Sequence, residues 1–282
     1  MPVHTKNWLK EAIDFAQNHI KKPVDIEAFL RKIPLPSGHF SRLFHAAYGM
    51  TFSHYIRRLK QFHAIKAYLE LNDKNAIKPY GFKGLEALKQ SLNLKDQDTI
   101  DHKILNTLSL PASDSIPKHV ALEKPQILKV EAKDFVGILS QEKAVFPDVK
   151  ALASKLNEGI KAFNVPYTKE KTYGLMAPIR DSGFQLEQPN SGGFDFMCAK
   201  AVSRFDHLPK GFQYRMLPQR EYALFQASIA HVDLKSIYYN IYAHALFDYN
   251  LTYDEDYVFE VHHETQKETP VIEIYVPVLS NQ

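Results

Sequence analysis

Between Ser37 and Phe52, in SGHFSRLFHAAYGMTF, the apolar residues Phe40, Leu43, Phe44, Ala47 and Tyr48 recur at steps of three and four. That spacing predicts a helix with one apolar stripe, and it places His39, Ser41, Arg42, His45 and Ala46 on an opposite face that looks outward. Gly49 ends this helix where a positive φ is needed, and Thr51 caps the next. The next helix is long and amphipathic, carried by Phe52, Tyr55, Ile56, Leu59, Phe62, Ile65 and Leu69 as far as Asn72. Upstream, Trp8, Leu9, Ile13 and Phe15 with Ala12 and Ala16 predict a first helix from Asn7 to His19, and Asp25 caps a short helix, IEAFLRKI. A short helix that presents Arg and His between one small helix and one long one is how a helix-turn-helix offers itself to a major groove.

The pattern changes after Leu108. SLPASDSIPKHVALEKP concentrates Pro, Ser and charge without periodicity, which marks residues 109–125 as a linker between a helical domain, 1–108, and a second domain, 126–282. In the second domain a strand, ILKVEAKDFVGILSQ, leads to a helix from Asp148 to Phe163 and then to strands TYGLMAPI and FDFMCAKAVS. The same order returns in YRMLPQREYALFQASI, a helix from Asp233 to Asp248, YVFEVHH and TPVIEIYVPV. The fold class expected is therefore an all-α helix-turn-helix domain followed by an α+β domain of two pseudo-twofold β-α-β-β repeats, with both helices on one face of the sheet.

Alternation along the last two strands selects candidate ligand residues. Val271, Glu273 and Tyr275 share one face of TPVIEIYVPV, while Val258, Glu260 and His262 share one face of YVFEVHH. Joined as a hairpin, the strands are expected to bring Glu260 and Glu273 to the same face, near Tyr222, Tyr275, Phe194 and Phe196. Such an acidic pair among rings attracts an amphipathic cation, each cation–π contact contributing about 0.5–2 kcal/mol. Glutamates on the outer face of a sheet are equally compatible with simple solvation. His262 and His263 are adjacent, so on a strand their rings point to opposite faces and do not share a metal.

Charge sharpens the division. Residues 1–108 hold 17 Lys and Arg against 10 Asp and Glu, whereas the remainder holds 18 against 22, so a polyanionic partner belongs to the N-terminal part. The single cysteine, Cys198, excludes an internal disulfide framework and points to the reducing cytoplasm. No signal core and no membrane-length apolar run is present, and no motif calls for a cofactor or a metal.

HFSRLFHAAYGMTFSHYIRRLKQFHAIKAYL resembles the first helix-turn-helix and connecting helix of the AraC family of bacterial transcription regulators, with FSRLF, YGMTF and YIRRLK in matching order and spacing. The resemblance implies double-stranded DNA as partner, read in the major groove. Its base-reading positions fall on Gly38, Ser41 and Arg42, and Arg42 alone has the reach for a bidentate guanine contact. His39, His45, Arg57 and Arg58 complete the DNA-binding set. The chain departs from the family at Leu30, Pro34 and Pro36, with Ser37 available to cap in place of Pro36. The second unit departs further: Pro79 interrupts its first helix, and Gln90 stands where an arginine is usual.

EYALFQASIAHVD and IEIYVPV, within residues 126–279, resemble the GyrI-like effector-binding domain that is often fused to AraC-type readers. The resemblance implies a small-molecule effector, cationic or aromatic, met by an acidic residue of these strands. The expectation is a cytoplasmic, ligand-sensing transcription regulator rather than an enzyme, with a homodimer left open. Two alternatives stand beside it. One is a GyrI-like hydrolase with Glu273 or Glu260 as base and Tyr222 or Tyr275 as acid; the other is a sensor whose helix-turn-helix no longer binds DNA.

Overall fold

Phe52 is the hub of the first four helices. Its ring lies 5.2 Å from Phe29, 5.8 Å from Phe40 and 5.0 Å from Phe44, centroid to centroid. A computed structural model of the chain places these rings on α2 (Ile26–Leu30), α3 (Ser37–Tyr48) and the first residue of α4 (Phe52–Leu71), behind α1 (Pro2–Asn18). The structure describes residues 2–108, 110–111, 116–140, 149–161, 166–167, 169–178, 195–203, 208, 210–229, 232–263 and 271–279. Two compact units divide between Ile116 and Pro117.

Helix ends follow from local chemistry. Asp25 accepts from the Ala28 amide at 2.8 Å and Thr51 from the His54 amide at 3.2 Å, each satisfying a first-turn donor. Gly49 closes α3 with φ 77°. Ser37 does not cap α3: it is the first helical residue, and Pro36 occupies the cap with no side-chain hydrogen bond. Proline suits that edge because the helix needs no amide from it. Past Asn72 the chain forms a 3-10 turn, Lys74–Tyr80, that contains Pro79, then α5 (Leu85–Ser91) and α6 (His102–Thr107). Ile77, Tyr80, Phe82 and Leu88 pack there on Ala64 and Ile65 of α4.

Lys60 ties α4 to α1. Its buried Nζ donates to the carbonyls of His19, Ile20 and Lys22 at 2.9, 2.8 and 2.9 Å, just past the end of α1. Burial pulls its ammonium down to about 8, so these three acceptors sustain its charge at neutral pH. Lys60→Met is expected to lower unfolding free energy by about 2 kcal/mol in urea denaturation, because the helix-end carbonyls lose a charged donor.

The second unit is a curled antiparallel sheet with helices. Its strands are β1 (Gln126–Val130), β2 (Lys133–Leu139), β3 (Lys171–Met176), β4 (Phe196–Val202), β5 (Gln213–Leu217), β6 (Arg220–Ser228), β7 (Thr252–Tyr253), β8 (Val258–His263) and β9 (Val271–Leu279). The order is β1-β6-β9-β8-β3-β4-β2-β5, with β7 added to β9. Only Glu131 and Ala132 separate β1 at one end of this order from β2 near the other. Pro218 and Gln219 likewise separate β5 from β6. The pairings Val130↔Arg220 and Lys133↔Leu217 continue one register across both gaps, so the two ends of the sheet are drawn together by a single two-stranded ribbon. The two long strands expected from sequence are thus each broken once, where the sheet bends.

The amphipathic α7 (Val149–Lys161) buries Leu156 and Ile160, and α8 (Leu234–Asn240), capped by Asp233, continues through a π turn, Ile241–Ala245. Asp148 and Phe163 of the expected first helix lie outside the described residues. Tyr239 of α8 is buried, and its hydroxyl has no hydrogen-bond partner among the described residues. Burial pushes this phenol up to about 12. Tyr239→Phe is therefore expected to raise stability by about 1 kcal/mol, seen as a higher thermal midpoint, since a desolvated, unbonded hydroxyl is removed.

Candidate functional site

β9 runs between β6 and β8, which settles where its side chains go. Leu224 and Phe259 flank Tyr275, Gln226 and Val261 flank Glu273, and Glu260 is paired with Ile274. Cross-strand partners share a face. Glu273 therefore projects with Tyr275, Phe259 and Val261, and Glu260 projects from the other side with Ile274 and Ile272. The expectation that both glutamates line one face is corrected: the register is displaced by one residue from the one it required, and a one-residue slip inverts a strand's faces.

The Glu273 face is aromatic and turned into the curl. Tyr275 stacks on Phe259 with centroids 4.3 Å apart and planes 10° from parallel. Tyr222 meets Phe259 edge-on at 5.0 Å, and Phe135 meets Tyr173 edge-on at 5.0 Å. Phe135, Tyr173, Tyr222 and Phe259 form one core cluster with Leu175, Met197 and Leu217, drawn from strands at both ends of the sheet. At its edge, Glu273 accepts from the Tyr275 hydroxyl at 3.1 Å through Oε2 and lies 3.2 Å from His263 Nε2 through Oε1. Burial and then the Glu273 charge push the phenols of Tyr275 and Tyr173 up, and burial raises that of Tyr222. All three remain uncharged donors at neutral pH. An anionic oxygen pair beside neutral rings suits a lipophilic cation, through Coulomb attraction and ring faces together. For the hydrolase alternative, the Tyr275 hydroxyl meets Glu273 and the Tyr238 hydroxyl meets Glu260.

Glu260 has a different setting. It is 1% exposed and accepts from the Tyr238 hydroxyl of α8 at 2.7 Å, with His262 Nε2 2.7 Å from its other oxygen. It anchors α8 to the outer face of the sheet. Phe196, paired with Met176, lies on that same face rather than beside Glu273, and Phe194 lies outside the described residues. Of the six candidates, then, Glu273, Tyr275 and Tyr222 come together, and Glu260 and Phe196 face the helices. His262 and His263 point to opposite faces, each to its own glutamate. Sequence alone did not point to Tyr173, Phe259 and His263 as neighbours of Glu273, or to Phe135 as a member of the same ring cluster. The alternation Tyr257-Phe259-Val261 carried a signal for Phe259; the others depend on pairing between distant strands.

The helix-turn-helix residues are also placed differently from expectation. His39, Arg42 and His45 are 4%, 3% and 5% exposed, Gly38, Ser41 and Arg57 are buried as well, and Arg58 is half-buried. None of these side chains with polar groups is without a partner. Burial lowers the Arg57 guanidinium to about 10 and lowers that of Arg58. The predicted outward face of α3 is thus covered in this structure. Cationic groups at that depth persist because they are engaged.

Among the described residues no helix is long and apolar enough to cross a membrane, and no group of three or more His, Cys, Asp and Glu is placed to hold a metal ion.

Residues 133–278, more than half of the chain, match the family model described as Cass2, integron-associated effector binding protein. Among solved structures, the chain is similar to SAV2435 bound to tetraphenylphosphonium, at 19% identity over 55% of this chain and 94% of that one, TM-score 0.38. It is similar to the integron cassette protein VCH_CASS2 from the mobile metagenome of Vibrio cholerae, at 16% identity over 56% and 97%, TM-score 0.36. It is also similar to EcmrR in an EcmrR–DNA complex, at 14% identity over 80% and 82%, TM-score 0.41. Comparison with curated proteins gave no match.

Proposed function

Because the chain belongs to the Cass2 family of integron-associated effector-binding proteins, we propose that it is a ligand-sensing regulator whose C-terminal unit captures a lipophilic cation at Glu273. The observation that carries this reading is the Glu273 carboxylate bonded by Tyr275, whose ring packs on the cluster formed by Phe259, Tyr173 and Tyr222. In this reading the strand order divides between β3 and β8 into two strand–helix–strand–strand units, β2-α7-β3-β4 and β6-α8-β8-β9, related by a pseudo-twofold axis. Helices α2 and α3 are the helix-turn-helix, and the basic N-terminal unit is the part that meets DNA. Since α3 is covered here, DNA reading belongs to another conformation, and an effector acts by changing how much of it is populated.

The covered face of α3 supports a second reading, a sensor that has lost DNA reading and acts on a protein partner. One titration separates the two. Labelled duplex from upstream of the gene is titrated with the full chain at two salt concentrations, with and without tetraphenylphosphonium. The regulator reading expects binding that weakens steeply with salt and shifts with the cation. Affinity weaker than about 10 μM near 0.15 M salt, the same for unrelated duplexes, would leave the second reading.

A further inference from the structure

His263 sits at the end of β8, opposite Lys171 of β3 and diagonal to Glu273 of β9, and all three project from the aromatic face. Its Nε2 lies 3.2 Å from Glu273 Oε1, and the two side chains are 22% and 17% exposed. An ionised carboxylate only accepts, so a proton on Nε2 is what makes this contact attractive. A protonated ring places a positive charge next to Glu273 at this distance. The other oxygen of Glu273 is bonded by Tyr275, so both oxygens are already engaged before any ligand arrives.

Resting on the reading of Glu273 as the cation-binding carboxylate, we propose that His263 sets the charge specificity of this site. With a neutral imidazole the His263–Glu273 pair carries one negative charge and captures a cation; with a protonated ring the pair is neutral and the cation is released. An imidazole is the side chain that changes charge between about pH 5 and 8. The other groups facing His263 do not compete for this role. Lys171 is an alkylammonium side chain on the same face, and the phenols of Tyr173 and Tyr275 are pushed up, away from that window. His262 and Glu260 project from the opposite face and bond to each other.

The test uses tetraphenylphosphonium, a cation whose own charge is independent of pH, titrated calorimetrically into the full chain at about pH 8 and about pH 5.5. Wild-type affinity is expected to fall by about tenfold between them, the effect of one unit charge coupled by one pKa unit. His263→Gln keeps a donor to Glu273 and cannot titrate, so it should hold its affinity to within about twofold across the range. A wild-type affinity that does not change, or a His263→Gln affinity that falls as the wild type's does, overturns the proposal. Absence of wild-type binding at pH 8 removes the effector reading together with it. The reciprocal measurement needs no variant. The midpoint of the His263 ring signal in an NMR titration should drop by about one pH unit in saturating phosphonium, because linkage is mutual; an unmoved midpoint also overturns the proposal.

Discussion

Gly137→Ala is expected to destabilise the C-terminal unit by at least about 3 kcal/mol. Gly137 lies on the inner face of β2 and is paired on both sides, with Ala199 of β4 and Gln213 of β5. A Cβ at this position would stand 2.2 Å from the Cys198 carbonyl oxygen and 2.8 Å from Ala199 Cα. These are backbone atoms of a paired strand, so the clash is relieved only by prising β2 from β4. The cost falls where the sheet is drawn into its curl, and the interior built by Phe135, Tyr173 and Tyr222 should open with it. Thermal unfolding followed by near-ultraviolet circular dichroism, which reports the tyrosines of that interior, measures the loss. A midpoint within about 2 °C of wild type would show that β2 and β4 are not so closely apposed.

The second large effect concerns binding. Glu273→Gln should weaken tetraphenylphosphonium by about 10- to 100-fold at neutral pH, the range of a single partly desolvated charge acting on a cation. The change is isosteric, and the amide oxygen still accepts from Tyr275, so folding should be nearly unaffected. Glu260→Gln supplies the contrast. Glu260 is behind the sheet against Tyr238, so its replacement should alter stability and leave affinity within about twofold. If both substitutions weaken the cation equally, the electrostatics of the whole unit, not a local carboxylate, controls binding. If neither does, the rings alone hold the ligand.

These two glutamates show where reasoning from sequence succeeds and stops. Alternation assigned each one correctly within its own strand, Glu273 beside Tyr275 and Glu260 beside His262. It could not state which face of one strand matches which face of the other. That is decided by the pairing of Glu260 with Ile274, a contact between residues fixed by the packing of both strands into the sheet. On α3 the limit is of another kind. The stripe of Phe40, Leu43, Phe44 and Ala47 is buried as its spacing requires, but periodicity identifies the apolar side only. Whether the side bearing Arg42 stays in water depends on what the rest of the chain brings against it.

By itself the sequence determined the helical first part and the strand-rich second, the caps at Asp25 and Thr51, the positive φ of Gly49 and the basic bias of the N-terminal residues. These follow from local sterics, hydrogen bonding and hydrophobic period, which act over a few residues. Tertiary structure alone decided the curl of the sheet, the separation of Glu260 from Glu273, the gathering of Phe135, Tyr173, Tyr222 and Phe259 into one cluster, and the covering of α3. Each of these depends on contacts between residues far apart in the chain, where the closure of the sheet selects one register among those the local pattern permits.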